Sequence, residues 1–208
     1  MLQQKAVEPV TLELLKQICS INSLDDFALG GGTNLALRMN HRFSVDLDFF
    51  TNSPFRNEKI FKVISNHFSK AELLFEQNQT MMFSINEVKV DFVLYPFNWL
   101  KRFEIIEDCR LLSVSDIIPM KLQALANRFS KKDFWDIAFL LNDFSITKMI
   151  EIFAKKFPQI DPGFVIHSLV AFDEAEKDPD PICIVPISWT KIKSKLTKAV
   201  IDYTNQLL

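Results

Sequence analysis

Glycine is nearly absent from this chain. Only four occur in 208 residues, and three of them, Gly30, Gly31 and Gly32, stand in a row. Cysteine and histidine are scarce as well. Cys19, Cys109 and Cys183 are odd in number, widely separated and form no Cys-x-x-Cys pair, which argues against both a disulfide framework and a zinc site. His41, His67 and His167 are equally dispersed, so no transition-metal centre is expected. The net charge of −2 excludes nucleic-acid binding through bulk charge. The clusters Lys131-Lys132 and Lys191, Lys193, Lys195 read first as solvated helix surface. No apolar run is long enough to span a bilayer, and the N-terminal MLQQKAVEPV lacks the basic-then-apolar order of a secretory signal. The expected compartment is the cytoplasm, with no membrane partner.

What remains is an ordinary globular composition, 48% hydrophobic and 24% charged, at a length that suits one domain or two small ones. Hydrophobic spacing predicts a helix over 11–19, and a second, TNLALRM, after the glycines. SVDLDFF reads as a strand and RNEKIFKVISNHF as a helix. AELLFEQ, TMMFSINE and VKVDFVLYPF read as consecutive strands, the last two joined by a tight turn near Asn86-Glu87. RLLSV is expected to add an edge strand. From Ser115 onward the pattern is helical: SDIIPMKLQALANRF, with Pro119 expected in the first turn, then KKDFWDIAFLLNDF, then a helix from about Trp189 to Leu207. The acidic, proline-rich DEAEKDPDPICIVP is expected to be a loop or linker. The expected class is α+β, with a core at 1–113 and a helical half at 114–208.

Two carboxylates interrupt the first strand. Strand side chains alternate, so Asp46 and Asp48 share a face while Val45, Leu47 and Phe49 point to the core. Two ionised groups that close repel and cannot be buried unpaired; the plain alternative is a solvent-facing pair on an edge strand. A third, Asp91, sits in VKVDFVLY, in what should be a central strand. Three aspartates on adjacent strands form an oxygen-rich site for Mg²⁺, which prefers carboxylates plus phosphate oxygens. The glycines fit the same chemistry. A Gly-Gly-Thr turn opening a helix presents backbone N–H groups and a hydroxyl to an anion, helped by the helix dipole. One glycine would suffice for a plain turn; three argue for phosphate. The spacing matches neither a P-loop nor a dinucleotide fingerprint.

LGGGTNLAL…HRFSVDLDFF resembles the Gly-Gly…Asp-x-Asp signature of the DNA-polymerase-β-like nucleotidyltransferases, and in detail the AbiEii-type toxins. The later SDIIPMKLQALANR and KKDFWDI resemble that branch's lysine-bearing helix and Lys-Asp-x-x-Asp helix. The resemblance runs from about Phe27 to Leu141. It implies a nucleotidyltransferase-fold mixed sheet with flanking helices, followed by a helical half that completes the nucleotide site. It implies that Gly31, Gly32 and Thr33 hold the triphosphate of an NTP, and that Asp46, Asp48 and Asp91 hold Mg²⁺, with Asp91 the candidate base. Lys121 and Asp133 would join these as catalytic groups, and Arg128 and Asp136 would bind nucleotide. RNA, at a tRNA 3′ end, is the implied acceptor, and an antitoxin the implied partner.

Spacing alone reads the second set differently. Lys121 would be a solvated helix flank, and Asp133 and Asp136 a charge pair at a helix start. His41-Arg42 is either a loop pair or a phosphate contact. A module that binds NTP without turning it over, as a regulatory or assembly subunit, is the alternative function.

Overall fold

The structure, a computed structural model, describes residues 1–206. The chain divides into two compact units, Met1–Ser113 and Val114–Leu208.

The first unit is built on a mixed seven-stranded sheet. In chain order its elements are α1 (Pro9–Cys19), β1 (Ala28–Leu29), α2 (Gly31–Met39), β2 (Leu47–Thr51), α3 (Asn57–His67), β3 (Ala71–Gln77), β4 (Thr80–Ile85), β5 (Val88–Leu94), β6 (Glu104–Ile106) and β7 (Cys109–Leu111). The strand order is β3-β4-β5-β2-β1-β7-β6. β3, β4 and β5 form an antiparallel meander, and β2 lies parallel to β5 at the centre. The β4–β5 turn falls at Asn86-Glu87 as the sequence predicts, with both residues in the left-handed region at φ 51° and 67°. That pair of positive φ angles matches the right-handed twist of the flanking strands.

Alternation along β2 and β5 defines the two faces of the sheet. Leu47, Phe49, Val90 and Phe92 are fully buried on one of them. Phe49 and Phe92 stack at 5.5 Å, with Phe27 and Phe83 set edge-on to Phe92 at 5.3 and 6.2 Å. Each such ring contributes roughly 1.5–3 kcal/mol through burial, which fixes the strand register and therefore what faces the other way.

The second unit is helical: α4 (Val114–Arg128), α5 (Lys131–Leu140), α6 (Ile146–Lys156), α7 (Pro162–Ser168) and α8 (Trp189–Asn205). Its core contains Phe134, Trp135, Phe153 and Phe157, all at 0% exposure. Trp135 stacks on Trp189 at 5.3 Å. A buried ion pair, Lys156 Nζ to Asp116 Oδ1 at 2.8 Å, ties α6 to α4. The acidic segment is more than a linker. Asp178 Oδ2 accepts from Ser130 Oγ at 2.9 Å and from the Lys131 amide at 3.1 Å, closing the start of α5, while Asp180 pairs with Lys131 at 2.8 Å.

Several expectations are corrected. β7 is not an edge strand, because β6 pairs outside it. Pro119 is the sixth residue of α4, since the helix starts at Val114. α2 begins at Gly31, two residues before Thr33. Val45 is 60% exposed and lies, with Asp46, before β2 begins. The expected end of the last helix at Leu207 lies outside the described residues.

Candidate active site

The site-bearing face of the first unit centres on two aspartates. In the parallel β2–β5 register Asp48 stands directly opposite Asp91, with Leu47 opposite Val90 and Phe49 opposite Phe92. Because the apolar partners are locked into the core, both carboxylates must project from the opposite face, side by side. Asp91 Oδ2 accepts from Lys89 Nζ at 2.7 Å. Its other oxygen, Oδ1, is buried and has no hydrogen-bond partner.

Lys89 was not among the residues that the sequence singled out. The signal was there: it lies two residues before Asp91 in the same strand, hence on the same face. Burial lowers the affinity of its amine for a proton. The hydrogen bond to Asp91 and the negative fields of Asp91, Asp48 and Asp46 outweigh that and hold the ammonium above the ordinary lysine range.

Asp46 differs from the other two. It precedes the strand, and its backbone carbonyl accepts from the Thr33 hydroxyl, which also meets Ser44 Oγ at 2.8 Å. Among the described residues no group of three His, Cys, Asp or Glu side chains is placed to hold a metal ion, so the expected three-aspartate set is not assembled. The Asp48–Asp91 pair still fits Mg²⁺, which takes one or two protein carboxylates and completes its shell with water and phosphate oxygens. The buried, unpartnered Oδ1 of Asp91 is the kind of atom that such a site supplies.

The glycine turn adjoins this pair. Gly31 adopts φ +62°, and a Cβ there would collide with Asp48 Oδ2. A Cβ on Gly32 would strike the Arg42 guanidinium, and one on Gly30 would lie 2.5 Å from the Phe50 ring. A Cβ at any of the three would therefore press on a neighbouring side chain, most severely at Gly31, where φ is also positive. Gly31 is the one of the three that stands against Asp48. Thr33 is 1% exposed, and its hydroxyl is spent on Ser44 and Asp46. His41 and Arg42 are buried at 0% and 4%, and Arg42 Nη1 donates to the Phe43 carbonyl at 3.0 Å. The close approach of Arg42 to Gly32 puts a buried cation at the start of α2.

In the helical unit Lys121 is the hub of an ion network and no solvated flank. Its Nζ lies 3.1 Å from Asp133 Oδ1 and 2.6 Å from Asp136 Oδ2, and both aspartates are fully buried. Arg128 forks onto Asp133 at 2.7 and 2.9 Å, with its side chain 52% exposed. Burial pushes the Asp133 carboxyl up, but Lys121 and the bonds and charge of Arg128 prevail and hold it below the usual aspartate range. α4 and α5 are thus joined by charge as well as by packing.

A nucleotidyltransferase is what this fold and this pair of strand carboxylates define. The comparisons agree: the chain matches the nucleotidyl transferase AbiEii toxin family, of type IV toxin–antitoxin systems, over residues 13–206. It belongs to that family. It is 34% identical over 172 residues to an uncharacterized protein of Aquifex aeolicus (strain VF5), covering 80% of this chain and 83% of that one. Its fold is similar to that of a putative nucleotidyltransferase from H. pylori, at TM-score 0.58 and 16% identity, covering 96% and 97% of the two chains. It is also similar to MenT4, a nucleotidyltransferase toxin from Mycobacterium tuberculosis H37Rv, at TM-score 0.65 and 11% identity, covering 92% and 81%. Among the described residues no helix is long and apolar enough to cross a membrane.

Proposed function

We propose that this nucleotidyltransferase is Mg²⁺-dependent and transfers a nucleoside monophosphate from an NTP to a hydroxyl of RNA, at the 3′ end of a tRNA. We further propose that it works in the cytoplasm as the toxin of a pair whose antitoxin restrains it. The observation that carries the catalytic part is the Asp48–Asp91 pairing beside Gly31, with Asp91 Oδ1 buried and lacking a donor.

In the reaction the acceptor hydroxyl oxygen bonds to the α-phosphorus, the α–β bridge bond breaks, and pyrophosphate leaves. Asp48 and Asp91 would hold Mg²⁺, which supplies Lewis-acid stabilisation of the charge that builds on the phosphate oxygens. Asp91 would also take the acceptor proton. Gly31 and Gly32 allow the start of α2 to stand against Asp48, so that backbone N–H groups and a helix N-terminus lie beside the place for phosphate. Arg42 adds fixed positive charge there. Thr33 braces the chain that delivers Asp46. Of the helical residues tied to nucleotide by resemblance, Arg128 is the one exposed enough to reach a ligand, while Lys121, Asp133 and Asp136 hold it in place.

The test is incubation of the protein with α-labelled or γ-labelled NTP, Mg²⁺ and total RNA. Transfer of the α label into a ribonuclease-sensitive product is expected. Label from the γ position, or a product removed only by protease, would overturn the RNA nucleotidyltransfer reading.

A further inference from the structure

Lys89 is placed where a metal-binding face would not ordinarily carry a cation. Its Nζ lies 2.7 Å from Asp91 Oδ2, inside hydrogen-bond distance of a carboxylate expected to bind metal. Asp48 faces Asp91 across the strand pair, so the ammonium meets the joint field of both. Removing it would take away the ammonium from which Asp91 accepts, on a face where Asp48 and Asp91 already repel each other. The lysine side chain is 37% exposed and that of Asp91 16%, so the amine can leave toward solvent while the carboxylate stays.

We propose that Lys89 is a resident cation of this site: it occupies Asp91 Oδ2 in the nucleotide-free protein and competes there with a divalent ion. The role is one of positioning and rests on the metal-dependent reading above. It has a consequence for order. A bare divalent ion must compete with a tethered ammonium, whereas an ion that arrives with an NTP also brings phosphate oxygens onto which the displaced amine can move. Lys89 thereby makes metal binding depend on nucleotide.

The experiment measures Mn²⁺ binding by titration calorimetry on wild type, Lys89→Met and Lys89→Arg, with and without an NTP analogue that cannot be cleaved between the α and β phosphates. Without nucleotide, Lys89→Met is expected to bind Mn²⁺ at least about tenfold more tightly than wild type, the low end of what a unit charge exerts at a few ångströms near a protein surface. Lys89→Arg is expected to behave as wild type does. With the analogue the gap should narrow. Should Lys89→Met fail to fold, Lys89→Gln keeps a polar partner for Asp91 and gives the same comparison. Wild type that binds Mn²⁺ with the analogue, alongside a neutral Lys89 variant that gains nothing without it, overturns the role of Lys89 alone. Absence of Mn²⁺ binding in every case overturns the metal site and this inference together.

Discussion

Asp48 and Asp91 stand opposite each other across parallel strands β2 and β5, and the buried rings of Phe49 and Phe92 one residue further on leave them no other face. Asp48→Asn and Asp91→Asn keep the side-chain shape while removing one of two neighbouring charges. Both variants should therefore stay folded, the relief of repulsion offsetting part of what the lost Lys89 ion pair costs in Asp91→Asn. Transfer from labelled NTP should fall about a hundredfold or more, as when a charge-stabilising group at a reaction centre is removed. Wild type should also gain more thermal stability from NTP with Mg²⁺ than with EDTA. The gain should reach ~2.7 kcal/mol when ligand stands at about a hundred times its dissociation constant. Equal shifts in the two buffers would count against the pair as a metal site.

Gly31→Ala tests the turn. The residue sits at φ +62°, and the added methyl would meet Asp48 Oδ2. Backbone strain in this region costs about 1–3 kcal/mol. A loss of that size is expected in chemical denaturation, together with weakened NTP binding because Asp48 must move. An alanine variant as stable as wild type and equally tight for NTP would show that the close approach is not needed.

Lys121 and Arg128 share a partner but differ in exposure, at 6% and 52% for their side chains. Lys121→Met takes the shared cation from two buried carboxylates and leaves Asp133 to Arg128. Breaking a buried pair in this way typically costs about 3–5 kcal/mol. Arg128→Ala removes a half-exposed cation and leaves Lys121 on the buried Asp133, so it should cost less. The expected order in urea unfolding is therefore Lys121→Met far below Arg128→Ala. Transfer should fall in Arg128→Ala despite the intact fold; full activity there would remove this side chain from nucleotide binding.

Acid should act on the same network. Asp133 has its folded-state pKa depressed, chiefly by Lys121 and Arg128 acting against burial. A depressed carboxyl contributes stability that is fully present above its unfolded value, about 3.9, and is lost as pH falls through the lower folded value. Unfolding midpoints of wild type should therefore drop steeply below about pH 4. Asp133→Asn, which has no carboxyl to protonate there, should show a shallower acid limb from a lower starting stability. Parallel limbs for the two proteins would sink this assignment.

The central strands and the Asn86-Glu87 turn were legible because period-two alternation and chain reversal are local properties. So was the pairing of site aspartates with glycines. β1 has two residues and β6 three, too short for any periodicity to register. They exist through their neighbours, and with β6 unseen β7 was placed at an edge. Asp46 obeys the alternation rule on paper, yet the ladder starts one residue after it. At the glycines the sequence holds no sign that Phe50, Asp48 and Arg42 press against them. For Lys121 spacing gave the wrong environment, because its counter-charges come from the next helix.

The hold of Asp178 on the start of α5 spans 47 residues of sequence. During synthesis, α5 is made long before the residue that closes its first turn. Until Asp178 and Asp180 leave the ribosome, the amide of Lys131 lacks its acceptor and the Lys131 ammonium lacks its partner. The first turn of α5 is thus expected to stay open through most of the unit's translation and to close late, when the acidic segment folds back. Ribosome-bound chains that expose the whole unit should resist protease within α5, and the same chains carrying Asp178→Ala and Asp180→Ala should be cut there. Equal resistance of the two would mean that α5 closes without its distant cap.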